Sequence, residues 1–200
     1  MRPKLLLATN NQAKVREYRS LLQGIPYDLV TPAELGLADK VEESGESLEE
    51  NARLKATYFA KRGHLLSLAD DSGLEVDALG GEPGPRSARY AGEGATDKER
   101  IDYLLSRLKG VPQEKRTARF RCIIALATPE GKVKLFSGER RGFITFKPKG
   151  EQGFGYDPIF YLPELDKTMA ELPPEVKNRI SHRGEAARKV SKALVKLSGK

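Results

Sequence analysis

The residues best suited to chemistry in this 200-residue chain are two adjacent carboxylates, Asp70 and Asp71, in "SLADDSGLEV" (Ser67–Val76). The segment begins apolar, like the end of a buried strand, and an ionised carboxylate buried without a partner is costly. Neighbours on an extended strand point to opposite faces. One acid therefore points into a given site, while the other braces it or reaches it from the Ser-Gly turn that follows. Two more acids, Glu42 and Glu43, stand in "VEESGES". The whole chain has one cysteine and two histidines, His64 and His182, which argues against zinc. Clustered carboxylates suit Mg²⁺, a hard ion that takes oxygen ligands and shares them with phosphates. The plain alternative is that Asp70 caps a turn and that Glu42 and Glu43 are solvated.

Cations open two helices. In "ATNNQAK" a buried strand enters a helix through a polar turn, with Lys14 in the first helical turn. A cation is unfavourable at the positive end of a helix dipole, and an anion bound there by Lys14 and the backbone N–H groups removes the conflict. The conflict recurs in "RISHRGEAARK", where His182 and Arg183 open the last helix, with Lys177 and Arg179 just upstream. Two such starts could line opposite sides of one nucleotide. The competing readings are a solvated lysine beside an asparagine cap and a solvated basic patch. In "GFGYDPIF" (Gly153–Phe160) glycines surround two aromatics and an aspartate. Glycine lets backbone approach a ligand, and Phe154 or Tyr156 could stack on a base; the alternative is a tight turn with core aromatics.

Positioning these groups requires strands and helices in mixed order. "KLLLAT" reads as a buried strand and the following segment as a helix with Val15, Tyr18, Leu21 and Leu22 on one face, stopped by Gly24. "YDLVTP" reads as a short strand, and "SLEENARLKATYFAKRG" as a helix with a capping box of Ser47 and Glu50. "LLSLAD" is a strand, with "GLEVDAL" as its hairpin partner or continuation. A Gly/Pro-rich loop precedes a helix capped by Thr96 and Glu99. A β-rich stretch, about 117–162, follows and could form a second lobe. A helix from about His182 to Leu197 closes the chain. Without regular βαβ alternation this predicts an α/β fold with a mixed sheet.

The length suits one globular domain. Residues are 38% apolar and 32% charged, and the longest apolar run, "CIIALA", is far too short to span a membrane. "KLLLA" is too short for a secretion signal, and a lone cysteine allows no internal disulfide; together these favour the cytoplasm. The net charge of +7 fits an anionic partner.

Five motifs in order, "TNNQAK", "EESGESLEENARLKA", "ADDSGLEVDALGGEPGPRSARYAG", "GFGYDPIF" and "AELPPEVKNRISHRG", resemble the inosine triphosphate pyrophosphatase family across about Lys4 to Leu197. The resemblance implies an elongated α/β fold, a mixed sheet with flanking helices and two lobes around a central cleft, in one domain over 1–200. It implies a cytoplasmic, usually homodimeric hydrolase that splits ITP, dITP and XTP between the α- and β-phosphates. The products would be a monophosphate and pyrophosphate, and the reaction would depend on Mg²⁺. By motif, Thr9, Asn10, Asn11, Gln12, Ala13 and Lys14 would hold the triphosphate. Glu42 and Asp71 would ligate Mg²⁺, with Glu43 and Asp70 as alternates, and Asp71 would be the general base. Ser72, Phe154, Gly155, Tyr156, Asp157, Lys177, His182 and Arg183 would contact substrate. No nucleic-acid or membrane partner is implied. The rivals are a related pyrophosphatase for other modified nucleotides and a basic protein that binds RNA or nucleotides without hydrolysis. The paired carboxylates count against the second, because without a metal they repel phosphate.

Overall fold

The computed structural model describes residues 2–37, 41 and 43–199. Its strands are β1 (Lys4–Leu7), β2 (Asp28–Val30), β3 (Leu66–Val76), β4 (Pro83–Gly84), β5 (Thr117–Ala127), β6 (Val133–Ile144), β7 (Phe160–Leu162) and β8 (Lys167–Thr168). The α-helices are α1 (Gln12–Leu21), α2 (Leu48–Gly63), α3 (Asp97–Arg107), α4 (Pro174–Ile180) and α5 (His182–Ser198). The sheet is mixed: β1 pairs in parallel with β2 and β3, whereas β3–β4, β6–β7 and β7–β8 are antiparallel. This is the α/β architecture with flanking helices that the sequence predicts. The chain divides into two compact units, residues 1–71, 122–138 and 183–200 in the first and 72–121 and 139–182 in the second.

In the first unit the strand order is β2-β1-β3-β5-β6. Alternation along the strands sends side chains to two faces. Leu5, Leu7, Leu68, Cys122, Ile124 and Leu126 pack with Val15 and Tyr18 of α1 and Ala187, Val190 and Leu194 of α5. Leu6, Ala69, Ile123 and Ala125 pack with Ala52, Ala56 and Phe59 of α2. Both faces are buried, which is why these strands read as continuous apolar runs.

In the second unit the order is β3-β5-β6-β7-β8, with β4 on β3. Leu74, Val76, Phe120, Ile144 and Phe160 pack against Ile101, Leu104 and Leu108 around α3. The capping box predicted for α3 is complete, with Thr96 and Glu99 exchanging both bonds. At α2 only half of the predicted box forms: Ser47 Oγ accepts from Glu50 N–H (3.2 Å), but Glu50 Oε2 accepts from Glu46 N–H (2.8 Å).

The Ser72–Gly73 dipeptide is not the turn its composition suggests. β3 runs through it as one strand of 11 residues. Gly73 serves close approach instead: a Cβ there would collide with the carbonyl of Gly84, whose β4 segment pairs with Leu74 and Glu75.

Candidate active site

Because β3 does not bend at the acids, Asp70 and Asp71 face opposite sides of it. Asp70 follows Leu68 onto the side of α1 and α5. Lys14 Nζ donates to its Oδ1 (3.0 Å) and Arg183 Nε to its Oδ2 (3.3 Å). Arg183 also donates through Nη1 to Glu17 Oε2 of α1 (2.7 Å). Burial works to raise the Asp70 pKa, but Lys14, Arg183 and Lys55 outweigh it and hold the carboxyl well below the usual aspartate range.

The helix-dipole conflict expected at both helix starts is thus met within the chain by one carboxylate. At the start of α1, Asn11 is the N-cap: its Oδ1 accepts from the N–H groups of Ala13 (2.9 Å) and Lys14 (3.2 Å). Thr9 Oγ1 accepts from Asn11 N–H (3.2 Å). The backbone donors of Ala13 and Lys14, predicted to face an anion, are therefore taken by the Asn11 side chain. What the turn presents are the exposed residues Asn10, Asn11 and Gln12, with Lys14 half-buried behind them.

Asp71 follows Ala69 onto the side of α2. Lys55 Nζ donates to its Oδ1 (3.0 Å) and to Glu43 Oε1 (2.6 Å). Asn51 Nδ2 donates to Asp71 Oδ2 (3.3 Å), while Asn51 Oδ1 accepts from Gly45 N–H (2.8 Å). Burial pushes the Asp71 carboxyl above its ordinary value, and Lys55 and Lys14 do not fully offset it. Burial opposes the Lys55 charge too, yet Asp71, Glu43 and Asp70 hold its ammonium above the usual range. Glu42 lies outside the described residues. Among the described residues no group of three or more His, Cys, Asp or Glu side chains gathers as a metal centre.

Asn51 and Lys55 are the partners that the sequence reading left unassigned. Their signal was present: Leu48, Asn51, Ala52, Lys55, Ala56 and Phe59 follow helical spacing, so two polar residues stand within the apolar stripe that α2 turns to the sheet. A buried amide there needs polar partners.

The second unit carries the other candidates. Gly153 has φ 77°, and a Cβ on it would collide with Asp157 Oδ2. That close packing lets Asp157 Oδ2 accept from both Phe154 N–H (2.9 Å) and Lys177 Nζ (2.5 Å). The Lys177 ammonium also sits 4.9 Å from the Phe154 ring centroid. The two aromatics of the motif part company here. Tyr156 is buried in the core and its hydroxyl donates to Ser87 O (2.9 Å), whereas Phe154 is only half-buried. His182 is buried with its ring stacked on Phe120, centroids 4.7 Å apart. Ser72 is half-buried on β3.

The structure thus gathers Lys14, Asp70 and Arg183 on one face of β3 and Glu43, Asp71 and Lys55 on the other. In the second unit it gathers Phe154, Asp157 and Lys177. None of the helices among the described residues is long and apolar enough to cross a membrane.

The chain is 49% identical over 189 residues to a dITP/XTP pyrophosphatase of Bacillus subtilis, covering 94% of this chain and 96% of that one. It is 51% identical over 183 residues to a dITP/XTP pyrophosphatase of Geobacter sulfurreducens, covering 92% of each. The structure of a HAM1 protein from Coxiella burnetii superposes with a TM-score of 0.89 at 41% identity, over 97% of this chain and 99% of that one. The Ham1 protein of Staphylococcus aureus gives 0.85 at 44% identity, over 96% and 97%. With the Ham1 family model matching residues 5–193, this chain belongs to the Ham1 family.

Proposed function

We propose that the chain hydrolyses deaminated purine nucleoside triphosphates, ITP, dITP and XTP, to the monophosphate and pyrophosphate, and so removes them from the nucleotide pool. The relatives named for dITP and XTP support the substrate class. The observation that carries the chemistry is the convergence of Glu43 and Asp71 on one cation, Lys55 Nζ, at 2.6 and 3.0 Å. Two hard oxygen donors that already share a positive charge fit Mg²⁺ by donor chemistry. Asp71 and Glu42 are assigned to hold it, with Glu43 beside them. Bound there, Mg²⁺ supplies charge neutralisation for the substrate phosphates.

The rest belongs to the chain's own residues. Asp71 takes the proton of the attacking water at its carboxylate as the bond between the α- and β-phosphates breaks. Thr9, Asn10, Asn11, Gln12, Ala13 and Lys14 hold the triphosphate. Asp70, already committed to Lys14 and Arg183, braces both cations rather than acting on water. Ser72, Phe154, Gly155, Tyr156, Asp157, Lys177, His182 and Arg183 contact the substrate, with Phe154 as the stacking face for the base. The whole chain works as one catalytic domain, and the family resemblance supports a cytoplasmic homodimer. Incubation with dITP and Mg²⁺, followed by separation of the nucleotide products, tests the reading. It requires dIMP as the product; dIDP, or unconsumed dITP, would overturn it.

A further inference from the structure

The structure assigns Asp97, a residue outside the five family motifs, a positioning role for the nucleobase-contacting loop Phe154–Asp157. This rests on the reading above, in which that loop meets the base. Asp97 is the first residue of α3. Its Oδ2 accepts from Gly155 N–H at 2.7 Å, a bond spanning 58 residues of sequence. Its Oδ1 pairs with Arg100 Nη2, and Arg100 Nη1 donates onward to Ala88 O at 2.5 Å. Tyr156, the next residue of the loop, donates its hydroxyl to Ser87 O at 2.9 Å, the carbonyl beside Ala88. The loop is therefore tied twice to one short segment, Ser87–Ala88, once directly through Tyr156 and once through the relay Arg100–Asp97.

The tie acts on backbone. Gly155 has φ 63°, a conformation glycine adopts readily, so little inside the residue itself holds it there. A charge-assisted bond from a carboxylate to its N–H supplies the missing restraint. Phe154 is fixed from the other side by Asp157, which accepts its N–H at 2.9 Å. Consecutive amides, of Phe154 and Gly155, thus each donate to a carboxylate of the chain, and the backbone that carries the Phe154 ring is tied on both sides. Asp97 touches no substrate in this account. It sets the geometry of the residues that do.

The test compares nucleotide with a ligand that has no base. Asp97→Ala is expected to raise KM for dITP about tenfold, near the low end for a hydrogen bond to a charged group because the Asp97 side chain is 43% exposed. The kcat should stay within about twofold, since uniform binding rather than the chemical step is weakened. The inhibition constant of tripolyphosphate, which engages only the phosphate end, should not change. Thr96→Ala removes the α3 cap without touching Gly155; it should lower the melting temperature and leave KM unaltered. Hydrogen exchange of the Gly155 amide in the unmodified protein is an independent readout, expected to be slow. An unchanged KM in Asp97→Ala, an equal shift for dITP and tripolyphosphate, an equal KM rise in Thr96→Ala, or fast Gly155 exchange would each overturn the assignment. Failure of the unmodified enzyme to turn over dITP would instead overturn the functional reading beneath it.

Discussion

Asp70 and Asp71 are joined by one peptide bond and serve opposite faces of the same strand, the first clamped by Lys14 and Arg183, the second by Lys55 and Asn51. Strand geometry separates the two roles. Asp70 holds two cations, and in the proposed function Asp71 is the acid that acts on water.

Asp70→Asn should be a stability variant. It leaves the Arg183 and Lys14 charges, with side chains only 3% and 15% exposed, without one of their carboxylate partners. Removing one member of a buried ion pair costs about 3–5 kcal/mol. For a domain of this size a loss of about 3 kcal/mol lowers the melting temperature by roughly 6–12 °C. Thermal unfolding in the absence of metal measures it, and an unchanged melting temperature would show that the clamp carries no stability.

Asp71→Asn should instead be an activity variant. Lys55 keeps Glu43 as its partner, and the amide oxygen that replaces the carboxylate can still accept from Asn51. The melting temperature should therefore move less than in Asp70→Asn, while turnover falls by at least about 10²-fold, the lower scale for general acid–base contributions. Near-normal turnover would move the base to another carboxylate, Glu43 first.

Turnover should require a divalent cation. Excess chelator should abolish dITP hydrolysis and added Mg²⁺ should restore it, because in the proposed function Glu43 and Asp71 face a polyanion that they would otherwise repel. Full turnover in chelator would remove the metal from the account.

Much of this arrangement was legible in the sequence, because it is written in local patterns. The apolar run ending in two acids marked β3, and the alternation rule separated Asp70 from Asp71. The Thr96/Glu99 spacing marked the start of α3. What escaped depends on distant chain. Ser72–Gly73 reads as a turn from composition, yet Gly73 is there to admit Gly84 of β4, 11 residues on. Asn51 and Lys55 stand out as polar residues within the apolar stripe of α2, but that their partner is Asp71 depends on the distant strand β3. The bond from Asp97 to Gly155 crosses 58 residues, and nothing in either neighbourhood announces it. Lys14 and Arg183 were recognisable as misplaced cations, but that one carboxylate satisfies both emerges only when β3 stands beside two helix starts.

Phe154→Ala should raise KM for dITP. Base–aromatic stacking is worth about 1–3 kcal/mol, or roughly five- to a hundredfold, and Phe154 is the half-buried aromatic held 4.9 Å from the Lys177 ammonium. Phe154→Tyr should restore most of the binding. Equal KM values for the alanine variant and the unmodified enzyme would show that the base stacks elsewhere.

Selectivity for deaminated purines is read from the ratio of kcat/KM for dITP to that for dATP, measured on one preparation with Mg²⁺. Lys177, one of the residues assigned to the substrate, offers only donors. Such a surface pairs with the 6-oxo group of hypoxanthine and sets donor against donor when adenine presents its 6-amino group. An unpaired buried donor costs about 1–3 kcal/mol. A ratio of at least about five is therefore expected, reaching about a hundred or more at the upper end of that cost or with more than one mismatched contact; a ratio near one would contradict selectivity for deaminated purines.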